Sequence, residues 1–518
     1  MRQVFERPLR YAWRCLAWLD ARINRLAGWR GNPLYQSGSI AVALLVVLLV
    51  TGVYVLFFYR LGNPYASVVR LQEQVWLGRW LRALHRYAAD AAVVAVVVHA
   101  LRMLLERRSW GPRTLAWLSG LVLLWVFLVC GWTGFVMVWD AHGQLLAREG
   151  ARLLDQLPVF AEPIGRTFVG EDRLPNAFFF LNLFAHSALP VGLLLVLWVH
   201  VSRLGRPVLF PPRRLLWTLV GLLLLVSIAV PAPLGPEGQA LRVPGGVPID
   251  LFYSFWLPLA ARTAAGVTLG GFVVLSLVVL LVPVWSKPVA ARRPPPSVVD
   301  ERLCTGCEQC YQDCPYEAIS MVERSDGRPT LVAQVEAGLC VSCGICAGSC
   351  APMGVGPPGR TGRDQLNDVR EFIIARDVAR GPVVIVACTQ SAVNVAQLDG
   401  SPVHAVSCAG NLHTSVIEYL VRAGAAGVLV VSCPLRDCWN REGPKWLLER
   451  MYDGREAELK ERVDRSRVRV IYAGPQESAE LATELRSFRA SVARLRAEAE
   501  EAIEIDTECE RPQPGVGA

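Results

Sequence analysis

Two histidine pairs with a shared spacing constrain this chain more than any other feature. His85 and His99 lie in one long apolar stretch and His186 and His200 in another, each pair separated by fourteen residues. Fourteen residues make nearly four helical turns, so the members of a pair share a helix face, about 21 Å apart along the axis. An ionisable side chain inside a bilayer is costly and marks a functional position, and a neutral imidazole is a common axial ligand of haem iron. One such histidine alone could be a hydrogen-bonded core residue. Two equally spaced pairs fit two haems stacked across a membrane.

The chain has 518 residues, 53% of them hydrophobic, and its long apolar runs stop near residue 286. That pattern predicts a membrane domain followed by a sizeable soluble portion. Six spans are expected, at about 40–59, 81–105, 114–139, 177–202, 214–232 and 263–285. The connections carrying Arg102, Arg107, Arg108 and Arg113, and then Arg203, Arg206, Arg213 and Arg214, are basic, which places them and both termini in the cytoplasm of a prokaryotic cell. No cleavable signal peptide is expected, because residues 1–39 are rich in Arg and Trp without an apolar core. Trp13, Leu16 and Trp18 beside Arg10, Arg14 and Arg22 predict a helix lying on the membrane surface. The net charge of +8 follows from this bilayer-facing arginine, and nothing signals nucleic-acid binding.

Gly38 and Gly52 in the first span, and Gly120 and Gly134 in the third, repeat the spacing of fourteen. A flat macrocycle wedged among helices needs backbone without side chains where it presses closest, although glycine pairs are also ordinary packing features of membrane helices. In register with the histidines, they make residues 40–286 resemble cytochrome b of the quinol-oxidising respiratory complexes. The resemblance implies a four-helix dihaem core and a homodimer. It pairs His85 with His186 near the outer face and His99 with His200 near the cytoplasmic face. It also implies haem propionates on Arg82 and Arg102, each otherwise an ordinary interfacial arginine. The stretch Thr133–Asp140 is similar to the family's end of the third span, with Val138 where a proline usually precedes the tryptophan. Pro248–Tyr253 is similar to the Pro-Glu-Trp-Tyr loop of the outer quinone site. Asp250 and Tyr253 are thereby implied as quinone-site residues, a carboxylate being able to take a proton from a quinol hydroxyl. Asp replaces Glu and the tryptophan is absent, so an ordinary loop aspartate stays open.

Residues 287–298, with Arg292, Arg293 and three prolines from Pro294, read as a stiff basic linker. Cys304, Cys307, Cys310 and Cys314-Pro315 follow, then Cys340, Cys343, Cys346 and Cys350. This spacing is the bacterial two-cluster ferredoxin pattern, in which the fourth cysteine of each run ligates the other cluster. It implies one 4Fe-4S site on Cys304, Cys307, Cys310 and Cys350 and a second on Cys340, Cys343, Cys346 and Cys314. Zinc would want looser spacing, and disulfides would want an oxidising compartment.

Beyond residue 380 the pattern alternates between apolar strands, Val383–Ala387, Val403–Ser407, Gly427–Ser432 and Val468–Ala473, and helices near 413–424, 441–453 and 475–499. This predicts a small open α/β domain with a parallel sheet. Cys388, Cys408 and Cys433 each follow a strand, and Cys438 lies five residues beyond, so the thiols converge outside the carboxyl ends of the strands. Such a quartet suits a 2Fe-2S centre or a structural zinc. Val406–Leu412 and Gly424–Cys438 resemble the iron-sulfur delta subunit of methyl-viologen-reducing hydrogenase. That resemblance implies a 2Fe-2S cluster and a heterodisulfide-reductase-type flavoprotein as partner. The family carries extra cysteines near the first position, where only Cys388 stands here. Cys15, Cys130 and Cys509 match no motif and read as ordinary thiols.

The expected organisation is therefore a surface segment 1–39, a dihaem membrane domain 40–286, a linker 287–298, a ferredoxin domain 299–360, a linker 361–380, a delta-subunit-like domain 381–500 and a tail 501–518. No dinucleotide loop, phosphate loop, hydrolytic triad or hydrogenase nickel motif is present. The order of sites suggests an electron path between a membrane quinone and a cytoplasmic iron-sulfur or flavoprotein partner of hydrogenase or heterodisulfide-reductase type. The alternative is a membrane anchor and relay without a quinone site of its own. Ferredoxin-type clusters are usually low in potential, so flow from the cytoplasmic donor to the quinone is the easier direction.

Overall fold

The computed structural model describes residues 2–509 apart from 160, 161, 169–173, 206–208, 249, 289–292, 395–397, 399, 453, 454, 456 and 476. Arg206, Arg292, the middle of the 287–298 linker and the last residues of the tail lie outside the described residues. The chain divides into two compact units, Met1–Ala290 and Ala291–Ala518.

The first unit is helical. Four helices among the described residues are long and apolar enough to cross a membrane: Ser37–Phe58, Gly78–Leu105, Gly111–Val138 and Asn176–Arg203. They are called the first to fourth membrane helices below. The expectation of six spans is corrected. The fifth and sixth apolar stretches form helices of only 17 and 16 residues, Arg213–Ala229 and Ala265–Leu280. At 1.5 Å per residue these rise about 25 Å, short of the ~30 Å hydrocarbon thickness. Apolar composition continues past both ends, but Pro231 and Pro233 follow the first and Pro283 the second, and proline withholds the amide that another turn needs.

The first membrane helix packs along the second, and the third along the fourth. Small residues set the approach: Ala88, Ala92 and Ala95 of the second helix are buried against Ile40, Leu44 and Leu48 of the first. Ahead of them, helix Arg2–Gly31 presents Tyr11, Trp18 and Leu26 outward, as a surface-lying helix should. Its Asp20 is fully buried and meets Arg102 of the second membrane helix at 2.9 Å.

Among its described residues the second unit contains eight strands. Val298–Val299 (β1) pairs antiparallel with Val355–Gly356 (β4), and Ile319–Val322 (β2) with Val332–Val335 (β3). The other four, Val383–Cys388 (β5), Val403–Val406 (β6), Gly427–Ser432 (β7) and Val468–Tyr472 (β8), form a parallel sheet in the order β6-β5-β7-β8. They fall within two residues of the expected limits. Alternation explains how both faces are covered. Val384, Val386, Val428 and Val430 face one cluster with Ile417 and Leu447, while Ile385, Leu429 and Val431 face another with Leu485 and Phe488 of the last helix. The stretch expected as a linker, 361–380, instead holds helix Gly362–Ala375. Thr361 and Asp364 form a reciprocal capping box at its start, and Val369 reaches the sheet's core.

Candidate functional site

The helix pairing brings the four histidines into two facing sets. The His85 and His186 ring centroids are 6.3 Å apart. Two imidazole nitrogens holding one metal ion at about 2 Å each would place ring centroids about 6 Å apart, so this spacing fits an iron between the rings. Each ring is seated against one of the spaced glycines. A Cβ built on Gly52 would stand 3.2 Å from His85 Cε1, on Gly134 2.9 Å from His186 Cε1, on Gly38 2.9 Å from His99 Cε1 and on Gly120 3.5 Å from His200 Cε1. The sequence expected these glycines to admit a macrocycle; in the structure they first of all admit the imidazoles.

A further regularity escaped the sequence analysis. Each glycine is preceded by a hydroxyl residue: Ser37, Thr51, Ser119 and Thr133. Thr51 Oγ1 lies 2.9 Å from His85 Nδ1, Ser119 Oγ 2.7 Å from His200 Nδ1 and Thr133 Oγ1 3.3 Å from His186 Nδ1. A partner at Nδ1 fixes the tautomer and leaves the Nε2 lone pair for a metal. Ser37 Oγ, one residue before the glycine that faces His99, is buried without a partner.

Cys130, expected to be an ordinary thiol, also belongs to this environment. Its carbonyl oxygen is 2.8 Å from His186 Nδ1, and its thiol donates to the His186 carbonyl at 3.7 Å. That carbonyl lies four residues before Pro190, which has no N–H to offer it. The fourth helix continues past Val199 as a π-helix, His200–Gly205, so His200 sits where the winding changes.

The two arginines expected at propionates are already engaged. Arg82 donates to Gln72 Oε1 at 2.8 Å and to the carbonyls of Ala232 at 2.9 Å and Pro233 at 3.0 Å. Arg102 meets Asp20 and also Glu106 at 2.8 Å, but its Nη2 is buried without a partner, a donor still available to an anion near His99. Asp250 and Tyr253 lie at the His85 end. Asp250 pairs with Arg86, and Tyr253 is 3% exposed with its hydroxyl on Ala89 O at 3.1 Å. Its ring fills the space left by the missing side chain of Gly131.

In the second unit the eight expected cluster cysteines divide between two cavities. One is lined by Cys304, Cys307, Cys310 and Cys350; the other by Cys314, Cys340, Cys343 and Cys346. These are the two sets that the ferredoxin spacing implied. The loops share a backbone device: Gly306 and Glu308 in one, and Ser342 and Gly344 in the other, take left-handed φ between 60° and 81°. A left-handed residue on each side of the middle cysteine curls the chain so that its thiols face one space. Amides point at the sulfurs, from Ala318 N to Cys314 at 3.3 Å and from Gly354 N to Cys350 at 3.2 Å. Burial pushes the Cys346 thiol up to about 12, and bound iron would have to displace its proton. Among the described residues no three His, Cys, Asp or Glu side chains are gathered tightly enough to hold a single metal ion. Thiols spread around a cavity fit a cluster better than one zinc, whose sulfurs sit about 2.3 Å from the ion.

Cys388, Cys408, Cys433 and Cys438 are all buried at the carboxyl ends of β5, β6 and β7. The chain leaves β5 toward β6 on one side and returns to β7 on the other, which is where open parallel sheets bind ligands. Cys433 hydrogen-bonds to Cys388 and to Cys438, and Cys438 to Cys408. The bond to Cys433, partly offset by burial, holds Cys388 down at about 7; bonding to Cys438 and burial push Cys408 well up. Cys388 therefore stands with the other three.

A side chain the sequence did not single out joins this site to the ferredoxin loops. Arg450 is fully buried and donates to Gly410 O at 2.7 Å, Ile345 O at 2.9 Å and Ser349 Oγ at 2.6 Å. Ser349 donates onward to Asp313, which Arg455 reaches at 2.6 Å. Asn411 Nδ2 donates to Gly344 O at 2.9 Å and Arg441 to Pro315 O at 2.8 Å. The segment after Cys408 is thus fastened to both cysteine loops.

Comparison with known proteins agrees with this division. Residues 30–208 match the family described as cytochrome b/b6/petB, residues 303–354 the 4Fe-4S dicluster domain, and residues 383–496 the delta subunit of methyl-viologen-reducing hydrogenase. The chain is a fusion of a cytochrome b region, a 4Fe-4S ferredoxin region and a hydrogenase-delta-like region. It is similar to the menaquinol:cytochrome c reductase cytochrome b subunits of Geobacillus thermodenitrificans and Bacillus subtilis (strain 168), each 23% identical over 212 residues, 36% of this chain and 95% of the relative. Cytochrome b6 of Tupiella akineta is 28% identical over 181 residues, 34% of this chain and 84% of the relative. A solved hyperthermophilic respiratory Complex III chain overlays 52% of this chain and 82% of its own at 13% identity and a TM-score of 0.39. The cytochrome b match ends ahead of the Asp250 loop.

Proposed function

We propose that this chain is the membrane subunit of a quinone-linked respiratory oxidoreductase, relaying electrons between a quinone pool and an iron-sulfur or hydrogenase-type partner. What carries the reading is that a single chain holds facing imidazoles seated on glycine in membrane helices and, in its second unit, two thiol quartets lining cavities and a third that is fully buried. The cofactors that suit these seats are two haems b, two 4Fe-4S clusters and one 2Fe-2S cluster, each supplying one-electron transfer at iron when bound. His85 with His186 and His99 with His200 would hold the haems, and hydroxyls at Nδ1 orient the rings of His85, His186 and His200. The cysteine sets Cys304/307/310/350, Cys314/340/343/346 and Cys388/408/433/438 would hold the clusters.

Two relatives are named for menaquinol, which makes menaquinone the quinone to try first. The delta-type region supports docking to a hydrogenase-like or heterodisulfide-reductase-like complex. The basic connections of the membrane region support both termini on the cytoplasmic side of the inner membrane. A second reading, a relay without quinone chemistry at the Asp250 loop, draws support from the engagement of Asp250 with Arg86.

The test uses the full chain in vesicles containing menaquinone, given a low-potential one-electron donor without oxygen. Cluster reduction should precede haem reduction, and menaquinol should then accumulate. Reduced haems with no menaquinol formed would leave only the relay, and clusters that stay reduced without haem reduction would overturn both.

A further inference from the structure

At the His85/His186 end one aromatic ring gathers three side chains. Phe135 has the Arg86 guanidinium 4.1 Å from its ring centroid, the His142 ring at 5.0 Å and the Tyr253 ring at 5.8 Å. Arg86 in turn pairs with Asp90 at 2.7 Å and with Asp250. Both Asp250 oxygens are taken: Oδ2 by Arg86, and Oδ1 by the amides of Phe252 at 2.9 Å and Tyr253 at 2.6 Å. With both oxygens already engaged by donors, the loop aspartate is badly placed to accept from a quinol hydroxyl.

His142 is different. It stands in the first turn of helix Ala141–Leu154, is 9% exposed, and its Nε2 is buried without a hydrogen-bond partner. It lies close enough to Asp140, Asp250 and Arg86 to feel their charges, while burial holds the imidazole below its ordinary range and favours the neutral form. An orphaned buried nitrogen is expensive and rare, and it persists where a ligand completes it.

We propose that His142 is the proton-exchanging residue of a quinone site at this end, and that the Arg86–Asp250 pair orients the quinone beside it. This rests on the quinone-linked reading above. Quinol oxidation releases two electrons and two protons in two one-electron steps. In each step a quinol O–H bond breaks and its proton forms an N–H bond at His142 Nε2; a haem held by His85 and His186 would supply the one-electron acceptor, and its electron would have to move on, toward a haem held by His99 and His200, before the second step. That N–H gives its proton to water before the next step. Quinone reduction runs through the same atoms in reverse.

The experiment follows haem reduction by a soluble menaquinol analogue in the purified full-length protein. His142→Gln keeps a polar side chain that cannot take the proton; its rate at saturating quinol should fall about 100-fold, the usual worth of a positioned base, with half-saturation little changed. Asp250→Asn should mainly raise the half-saturating concentration. His142→Gly leaves a gap that free imidazole can enter, and added imidazole should restore its rate. This arm keeps the test sound should the glutamine variant lose haem. A wild-type protein that ignores quinol overturns the quinone-linked reading itself. A wild type that reacts, with His142→Gln within twofold of it or His142→Gly beyond rescue while its haem is intact, overturns the role of His142 alone.

Discussion

Gly134→Val should cost the protein the haem between His85 and His186 while leaving the other in place. Already a bare Cβ at 134 would lie 2.9 Å from His186 Cε1, and valine adds two methyls stiff about χ1. The ring cannot slide aside, because its Nδ1 is held by the Cys130 carbonyl and Thr133. A ligand pushed even 1 Å from its iron is lost as a ligand, so the effect should approach all or nothing. Haem per chain should fall from two to one, with one component gone from the reduced optical spectrum. Gly192→Val on the fourth membrane helix is the control, since nothing lies within 4 Å of a Cβ there, and it should keep both haems. Two haems with unaltered spectra in the Gly134 variant would refute the seat.

Arg450→Met should loosen the second unit more than any other single change to a charged residue there. The substitution keeps much of the volume but strips the donors from Gly410 O, Ile345 O and Ser349 Oγ in a site without water access. Breaking a buried charged network from one side typically costs about 3–5 kcal/mol. For a unit of this size that corresponds to a fall in melting temperature of roughly 10 °C. Arg450→Lys keeps the charge without the planar fork and should fall between. Differential scanning of the full-length protein, with iron analysis alongside, checks this. A melting temperature within a degree or two of wild type for Arg450→Met would show that the fork does not hold the Cys408 segment to the ferredoxin loops.

What the sequence revealed depended on whether the chemistry repeats. The histidines, glycines and cysteine runs recur at fixed intervals, which marked them out, while the cytochrome b and ferredoxin resemblances implied how they pair; the geometry sets His85 beside His186 and divides the eight cysteines between two cavities. The hydroxyls before the glycines repeat just as regularly, at 37, 51, 119 and 133, and were legible had the neighbours of each glycine been compared. The helix at 362–375 was signalled by Thr361 and Asp364, but the proline-glycine stretch before it reads as a linker. Hydropathy overcounted the spans because it registers apolar content and not where proline stops a helix. Arg450, Arg86 and His142 were not legible at all. A polar residue on a helix looks solvated until a non-local partner buries it, and for Arg450 and Arg86 those partners lie 105 and 164 residues away.

The central claim is that one chain carries a complete set of redox seats, from the bilayer to the delta-like region. Its most direct test is a count of haem, non-haem iron and zinc in full-length protein purified without oxygen, with electron resonance to separate the cluster types. The account predicts two b-type haems and about 4 + 4 + 2 = 10 non-haem irons per chain, the last two giving a 2Fe-2S signal that disappears in Cys433→Ser. Stoichiometric zinc in place of that signal, or a single haem per chain, would contradict it.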